Sequence, residues 1–169
     1  MLKRSGPKQT DIIVVGAGMV GYATALCLAR SGFSINLIED REPAPWNDEV
    51  YGVRVSAISA ASEKLLDDIG VWQDIVSHRV MPYQHMHVWD ASGSASLDFD
   101  AADSGRANLG YIIENDLITS ILSQHLRRNS SVSIATGSRL SAVEQLADAV
   151  HIVLEDGSKM SAALIVAAD

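Results

Sequence analysis

Three glycines and one acidic residue in this chain have the types and the spacing of a nucleotide-binding site. Gly16, Gly18 and Gly21 form a Gly-x-Gly-x-x-Gly pattern, and Glu39 follows 18 residues after Gly21. In such a pattern the first glycine permits a tight turn, the second lets a pyrophosphate approach the backbone, and the third lets a helix pack closely. The Glu39 carboxylate can accept hydrogen bonds from ribose hydroxyls and would repel a 2′-phosphate, which argues against NADP in this cradle.

The elements that would position these residues are a strand, a helix and a second strand. Residues 12–15 are apolar and β-branched, which is typical of a strand buried on both faces. Small and apolar residues then follow at helical spacing, Gly32 stands where that helix would end, and residues 35–38 form a second apolar run before Glu39. The free N–H groups at the start of the helix would face the phosphates. Glycine triplets also occur in ordinary loops, so the interpretation depends on all these parts being in register.

The composition is typical of a soluble globular protein. The chain has 169 residues, of which 47% are hydrophobic and 20% charged, and its net charge of −8 argues against nonspecific nucleic-acid binding. The single cysteine, Cys27, permits no disulfide within the chain. No apolar run is long enough to span a bilayer. We therefore expect a cytoplasmic protein, in which residues 1–10 form a disordered lead-in and not a secretory signal.

Periodicity predicts the elements after Glu39. Helices are expected at residues 60–69, with Ser59 as the N-cap, and at residues 115–128. Residues 83–90 and 95–99 alternate in polarity and predict a hairpin with one face to water, outside the central sheet. Residues 139–146 and 150–154 predict a second hairpin. Four runs are expected to share one parallel sheet: residues 12–15, 35–38, 132–135 and 164–166.

Other candidate residues carry weaker signals. His85 and His87 point to the same side of a predicted strand, so either a metal pair or two solvated histidines is possible, and no third ligand at a typical spacing favours the metal. Arg54 is an isolated cation in an apolar stretch, and a buried arginine requires an anionic partner. That partner would be a flavin pyrophosphate or, alternatively, a surface carboxylate. No nucleophile-elbow or Cys–His signature is present, and we predict no metal ligand.

Several blocks of the chain resemble one enzyme family. They are similar to the FAD-dependent hydroxylases of ubiquinone biosynthesis, which belong to the p-hydroxybenzoate hydroxylase-like aromatic flavoprotein monooxygenases. The similarity runs from about residue 11 to residue 169 and covers only the N-terminal part of such an enzyme. The block Arg-Val-Ser-Ala-Ile-Ser-Ala-Ala-Ser is the most specific to the ubiquinone branch. The matching blocks are residues 42–45, 54–62, 70–72, 82–83 and 113–115.

The resemblance implies a set of cofactor-binding residues. The three glycines and Glu39 would hold the ADP half of FAD. Arg54 matches a family arginine near the flavin, and Glu114 falls where relatives place a flavin-contacting Gln or Arg. Asp169 matches the first residue of an Asp-Gly motif that serves FAD and NADPH. The full predicted set is Gly16, Gly18, Met19, Val20, Gly21, Glu39, Asp40, Arg41, Arg54, Glu114, Asn115 and Asp169.

The resemblance also implies a fold and a reaction. The expected fold is α/β, with a Rossmann-like FAD/NAD(P)-binding domain (residues 11–80 and 107–169), a parallel sheet, a β-meander, and part of a second α+β substrate domain (residues 81–106). NADPH would reduce FAD, the reduced flavin would activate molecular oxygen, and a polyprenylated phenol or quinol ring would take the hydroxyl. The expected partners are that substrate, oxygen and a ubiquinone-biosynthesis complex at the inner membrane, without nucleic acid.

Two alternatives to this interpretation remain at the level of sequence. An NAD-dependent dehydrogenase has a similar first strand–helix–strand unit. A truncated, non-catalytic fragment is the other, because the chain ends at Asp169 without the glycine that follows in the family. We accordingly expect the 169-residue chain alone to be inactive as a hydroxylase, to bind FAD weakly or not at all, and to self-associate.

Overall fold

The structure is a computed structural model, and it describes residues 8–43 and 45–168. Asp169 therefore lies outside the described residues, as does most of the expected lead-in. Within the described part, contacts between Cα atoms divide the chain into two compact units. The first unit contains the residues up to Pro45 together with those from Thr119 onward, and the second unit is Trp46–Ile118.

The described elements alternate between strands and helices along the first half of the chain and are mostly strands near its end. In chain order they are β1 (Lys8–Val15), α1 (Met19–Arg30), β2 (Ile35–Ile38), β3 (Val55–Ser59), α2 (Ala60–Asp68), α3 (Trp72–Val76), β4 (Met81–Tyr83), β5 (His85–Trp89), β6 (Ser96–Asp100), a 3₁₀ turn (Ala101–Ser104), β7 (Gly110–Glu114), α4 (Asn115–Arg127), β8 (Val132–Ala135), β9 (Leu140–Gln145), β10 (Val150–Leu154) and β11 (Lys159–Ala167).

The first unit contains a six-stranded sheet in the order β8-β2-β1-β11-β10-β9. Strands β8, β2, β1 and β11 are parallel, and β10 and β9 continue the sheet as an antiparallel meander. Ile12 pairs with Leu164 on one side and with Ile35 on the other. The predicted parallel sheet and the α/β fold class are therefore confirmed.

The core of this sheet explains why its strands have no polar alternation. Ile13, Val14 and Leu37 are fully buried, as expected for central strands of a parallel sheet. A cluster of buried side chains continues the core from β1 into the meander through Ile152 and Leu154. At roughly 25 cal/mol per Å² of apolar surface, burial of such side chains is the main stabilising term of the unit.

The first strand begins earlier than the sequence predicted. Residues 8–10 were expected to belong to a disordered lead-in, but β1 starts at Lys8, and Lys8, Gln9 and Thr10 pair with residues 160–162 of β11. The reason is that β11 has nine residues and offers a parallel partner beyond the apolar run. Residues 8–10 are polar and give no hydrophobic signal in the sequence. They are held by backbone hydrogen bonds to β11 and by a hydrogen bond from the Thr10 hydroxyl to the Ser34 carbonyl at 2.8 Å.

The second unit contains two small antiparallel sheets and two short helices. One sheet has the order β3-β7-β4, and the other is the ribbon β5-β6, which lies outside the six-stranded sheet as predicted. Helix α2 has the expected N-cap, since the Ser62 N–H donates to the Ser59 hydroxyl at 3.4 Å. Helix α4 begins in this unit and continues into the first.

The expectation that only one face of the ribbon meets water is wrong. Every residue of β5 is exposed, including Met86 and Val88 on the apolar face. Their cross-strand partners Phe99 and Leu97 are exposed as well. Among the described strands, β5 and β6 pair only with each other. Polar and apolar residues therefore alternate in these strands although the apolar face is not buried.

Candidate cofactor site

The glycine turn between β1 and α1 has the geometry that a pyrophosphate requires. Gly16 has a φ of 101°, which favours glycine, and its N–H donates to the Ile38 carbonyl at 2.8 Å. A Cβ on Gly21 would lie 1.9 Å from the Gly16 carbonyl oxygen, so only glycine allows helix and turn to approach this closely. A Cβ on Gly18 would meet nothing within 4 Å. The space in front of Gly18 is therefore open to a ligand.

The start of α1 leaves its first N–H groups available. Gly18 is the N-cap and offers no side chain to accept from them, and the first turn contains no acidic residue. Met19 and Val20 form this first turn, and Val20 is two-thirds exposed. Unpaired N–H groups and the positive end of the helix dipole together favour an anion at this position.

The Glu39 carboxylate is held against the glycine turn. One of its oxygens accepts from the Ala17 N–H at 2.6 Å, and the other accepts from the Arg41 N–H at 3.0 Å. These two bonds fix the side chain just beyond the end of β2. A carboxylate has about four lone-pair sites, so this one can still accept from two ribose hydroxyls. The structure thus brings together the glycines and the acid that the sequence predicted to share a site.

Asp40 and Arg41 lie beside Glu39 but face other partners. The Asp40 carboxylate pairs with Arg139 at 3.1 Å and lies 3.7 Å from the Arg41 guanidinium. Arg139 comes from the loop before β9, and sequence reasoning did not include it. The end of β11 also reaches this turn, because the Ala168 N–H donates to the Val15 carbonyl at 2.8 Å.

In the second unit, Arg54, Glu114 and Asn115 meet at one end of the β3–β7 pair. The Asn115 N–H donates to the Arg54 carbonyl at 3.0 Å, and the Ser56 hydroxyl donates to the Asn115 side-chain oxygen at 2.7 Å. The Arg54 side chain is exposed, and no ion pair to it occurs within residues 8–43 and 45–168. The expectation that Arg54 is buried is therefore wrong, because Arg54 comes directly before β3, whose first residue, Val55, is exposed.

Glu114, in contrast, is buried and fully engaged by its own chain. Its carboxylate accepts from the Arg79 Nε at 3.0 Å, from the Trp46 indole N–H at 3.0 Å and from the Gly52 N–H at 2.5 Å. The hydrogen bond from Arg79, more than any other contact, holds the pKa of Glu114 below its usual value, although burial acts in the opposite direction. Sequence reasoning missed Arg79, which is 35 residues from Glu114 and carries no motif.

The two ribbon histidines pair with aspartates across the strands. His85 Nδ1 lies 3.0 Å from Asp100, and His87 Nδ1 lies 2.5 Å from Asp98. The part of the chain that the structure describes contains no group of three His, Cys, Asp or Glu side chains placed to hold a metal. The same part contains no helix that is long and apolar enough to cross a bilayer.

The chain matches the model of a known protein family. Residues 9–169 match the model of a family described as an FAD binding domain. The chain belongs to this FAD-binding domain family. The alternative of an NAD-dependent dehydrogenase is not favoured by the match.

Curated relatives agree with this assignment, and a solved structure shares the fold. The chain is 39% identical over 161 residues to the 3-demethoxyubiquinol 3-hydroxylase of Escherichia coli, covering 95% of this chain and 41% of that protein. It is 32% identical over 165 residues to the ubiquinone hydroxylase UbiL of Rhodospirillum rubrum, covering 98% and 38%. The crystal structure of the p-nitrophenol 4-monooxygenase PnpA of Pseudomonas putida matches with a TM-score of 0.75 at 21% identity, covering 96% and 41%. The chain thus spans about two fifths of the length of these proteins.

Proposed function

We propose that this chain is the FAD-binding part of a flavin-dependent monooxygenase that hydroxylates a polyprenylated phenol or quinol ring in ubiquinone biosynthesis. The observation that carries the proposal is the pairing of Glu39 with the Ala17 N–H at 2.6 Å, next to the open space at Gly18. In this proposal Glu39 accepts from the ribose and the turn at Gly18 receives the phosphates. Two curated relatives, a 3-demethoxyubiquinol 3-hydroxylase and a ubiquinone hydroxylase, support the substrate class.

The residues present fit the ADP half of FAD. The pyrophosphate would lie against the Gly18 backbone and the first N–H groups of α1, and Glu39 would accept from the ribose hydroxyls. In the second unit, Arg54 is exposed and available to an anionic group. Bound FAD would supply the redox chemistry, with NADPH as donor and oxygen as co-substrate. The chain's own residues would bind and orient the cofactor, and we assign no side-chain acid or base.

The expected partners follow from the same proposal. A polyprenylated ring partitions into a bilayer, so we expect the protein to meet its substrate at the inner-membrane surface, within a ubiquinone-biosynthesis complex. The exposed apolar face of the β5–β6 ribbon, with Met86, Val88, Leu97 and Phe99, supports the expected self-association of the isolated chain.

The test is to purify the full-length protein, record its flavin absorbance and assay ring hydroxylation with NADPH. We expect FAD to be bound and NADPH oxidation to be coupled to hydroxylated quinol. The isolated 169-residue chain serves as a comparison and should show weak FAD binding and no coupled product. Reduction of added NAD by an alcohol substrate, without any bound flavin, would contradict the proposal.

A further inference from the structure

A single guanidinium organises a loop that has no regular secondary structure of its own. We call residues 46–52 the 46–52 segment; it lies before β3 and forms neither helix nor strand. The Arg79 guanidinium donates to three of its carbonyls, those of Asn47, Asp48 and Val50. The bond to Asn47 measures 3.2 Å and the bond to Val50 2.5 Å. Backbone carbonyls that a helix or sheet would satisfy are here satisfied by one side chain.

The two ends of the same segment are attached to Glu114. The Trp46 indole N–H donates to one carboxylate oxygen and the Gly52 N–H to the other. Arg79 in turn bridges both oxygens, with Nε at 3.0 Å from one and Nη2 at 3.3 Å from the other. The ends of the segment are therefore fixed by the carboxylate and its middle by the guanidinium.

Two aromatic rings of the segment lie near the guanidinium of this ion pair. The Arg79 guanidinium lies 4.4 Å from the centre of the Tyr51 ring and 5.4 Å from that of Trp46. The side chains of Arg79 and Glu114 are only 27% and 7% exposed. A lysine could not reproduce these contacts, because they require the planar fork of five N–H donors.

We infer that Arg79 and Glu114 form a clamp that fixes the 46–52 segment and thereby positions Arg54 for the cofactor. Arg54 follows Gly52 by two residues, and its carbonyl accepts from the N–H of Asn115, the residue after Glu114. The Arg54 carbonyl is thus bonded to the residue next to Glu114, and the chain reaches Arg54 two residues after Gly52, which Glu114 holds. The inference rests on the proposed function, because it gives Arg54 a role in holding FAD.

The clamp changes the role that family resemblance gives to Glu114. A side chain in a flavin-contacting position would have free hydrogen-bonding capacity and exposure. The Glu114 carboxylate instead receives hydrogen bonds from three residues of its own unit and is buried. Arg79 and Glu114 are therefore positioning residues, and they act on the cofactor through Arg54.

The experiment measures the segment and the cofactor separately in the full-length protein. A glutamate-specific protease reports on the segment, because Glu49 is exposed within it, and cleavage at the exposed Glu155 in the first unit serves as an internal reference. FAD affinity is measured by quenching of flavin fluorescence. The variants are Arg79→Lys and Glu114→Gln. Arg106→Lys is the matched control, as an exposed arginine of the same unit. Trp46→Phe is a milder variant that removes only the indole N–H.

For Arg79→Lys we expect cleavage after Glu49 to accelerate about tenfold, because cleavage follows the population of the opened segment. FAD affinity should fall about three- to tenfold. Trp46→Phe should also accelerate cleavage and lower FAD affinity, but by smaller factors. Arg106→Lys should change neither the cleavage rate nor the FAD affinity. In an Arg54→Ala background, Arg79→Lys should cause no further loss of FAD affinity, which a merely structural role would not predict.

Three results would overturn the inference. One is unchanged cleavage at Glu49 in Arg79→Lys. Another is weaker FAD binding by Glu114→Gln with unchanged cleavage, which would make Glu114 a direct cofactor contact. The third is an Arg54→Ala variant with unaltered FAD affinity. If the unmodified protein binds no FAD, the proposed function fails and with it the role of Arg54, while the cleavage rates still decide whether the clamp exists.

Discussion

Two acidic residues that are predicted to bind the cofactor, Glu39 in the first unit and Glu114 in the second, differ in the hydrogen-bonding capacity that they have left. Glu39 accepts two backbone N–H groups and remains partly exposed beside an open glycine turn. Glu114 is buried and accepts from an arginine, an indole and a backbone N–H. The first is preorganised with remaining capacity, which suits a ligand contact. The second is saturated, which suits a structural contact.

The largest expected effect comes from removing the partner of the buried Glu114 carboxylate. Arg79→Ala should lower the free energy of unfolding by about 3 kcal/mol, because it leaves a buried carboxylate without its counter-charge. This value is at the low end for buried pairs, since 27% of the Arg79 side chain is exposed. Urea denaturation is the measurement. Arg139→Ala is the control: its pair with Asp40 is exposed, and the unfolding midpoint should hardly move. Equal effects of the two changes would show that burial of the clamp does not matter.

A second prediction compares two glycines at the turn between β1 and α1. Gly21→Ala should destabilise the protein by about 2–3 kcal/mol, because its Cβ would overlap the Gly16 carbonyl and force helix and turn apart. Gly18→Ala should leave the midpoint almost unchanged, since nothing lies within 4 Å of its Cβ. Both are measured by thermal and urea denaturation. Equal stability of the two variants would contradict the described turn.

A third prediction concerns the ribose contact. Glu39→Ala removes charge-assisted hydrogen bonds of about 1.5–3 kcal/mol each, so FAD affinity of the full-length protein should drop at least tenfold. Glu155→Ala, an exposed acid in the turn before β11, should leave the affinity unchanged. Flavin fluorescence quenching gives both dissociation constants. Unaltered retention of FAD by Glu39→Ala would show that Glu39 is only a surface acid.

The smallest effect is a pH dependence at Glu114. Its pKa is depressed in the folded protein, chiefly by the hydrogen bond from Arg79. The resulting stabilisation is present above the unfolded pKa, near 4.5, and is lost as the pH falls through the folded value. The stability difference between the unmodified protein and Glu114→Gln should therefore shrink as the pH falls below about 4.5. A difference that stays constant between pH 3 and pH 6 would contradict this.

The sequence predicted the strand, glycine turn, helix and second strand before Glu39 well, because these parts are local. The turn glycines, the helix and Glu39 lie within 24 residues, and each has a recognisable period or spacing. The four parallel strands of the six-stranded sheet were predictable because each contains a short apolar run. Other features escaped prediction. The partnership of Arg79 with Glu114 spans 35 residues without a motif. The exposure of Arg54 and of the β5–β6 ribbon depends on what packs against them, which alternation in sequence does not encode.

We propose that the first unit holds the ADP half of FAD at the glycine turn, and binding of ADP itself tests this proposal most directly. Isothermal titration of the purified chain with ADP should give saturable binding. Gly18→Ala should reduce ADP affinity at least tenfold without changing the denaturation midpoint, because its Cβ occupies only the space that the phosphates need. Equal ADP affinity of the unmodified chain and Gly18→Ala, or no ADP binding by the folded chain, would contradict the claim.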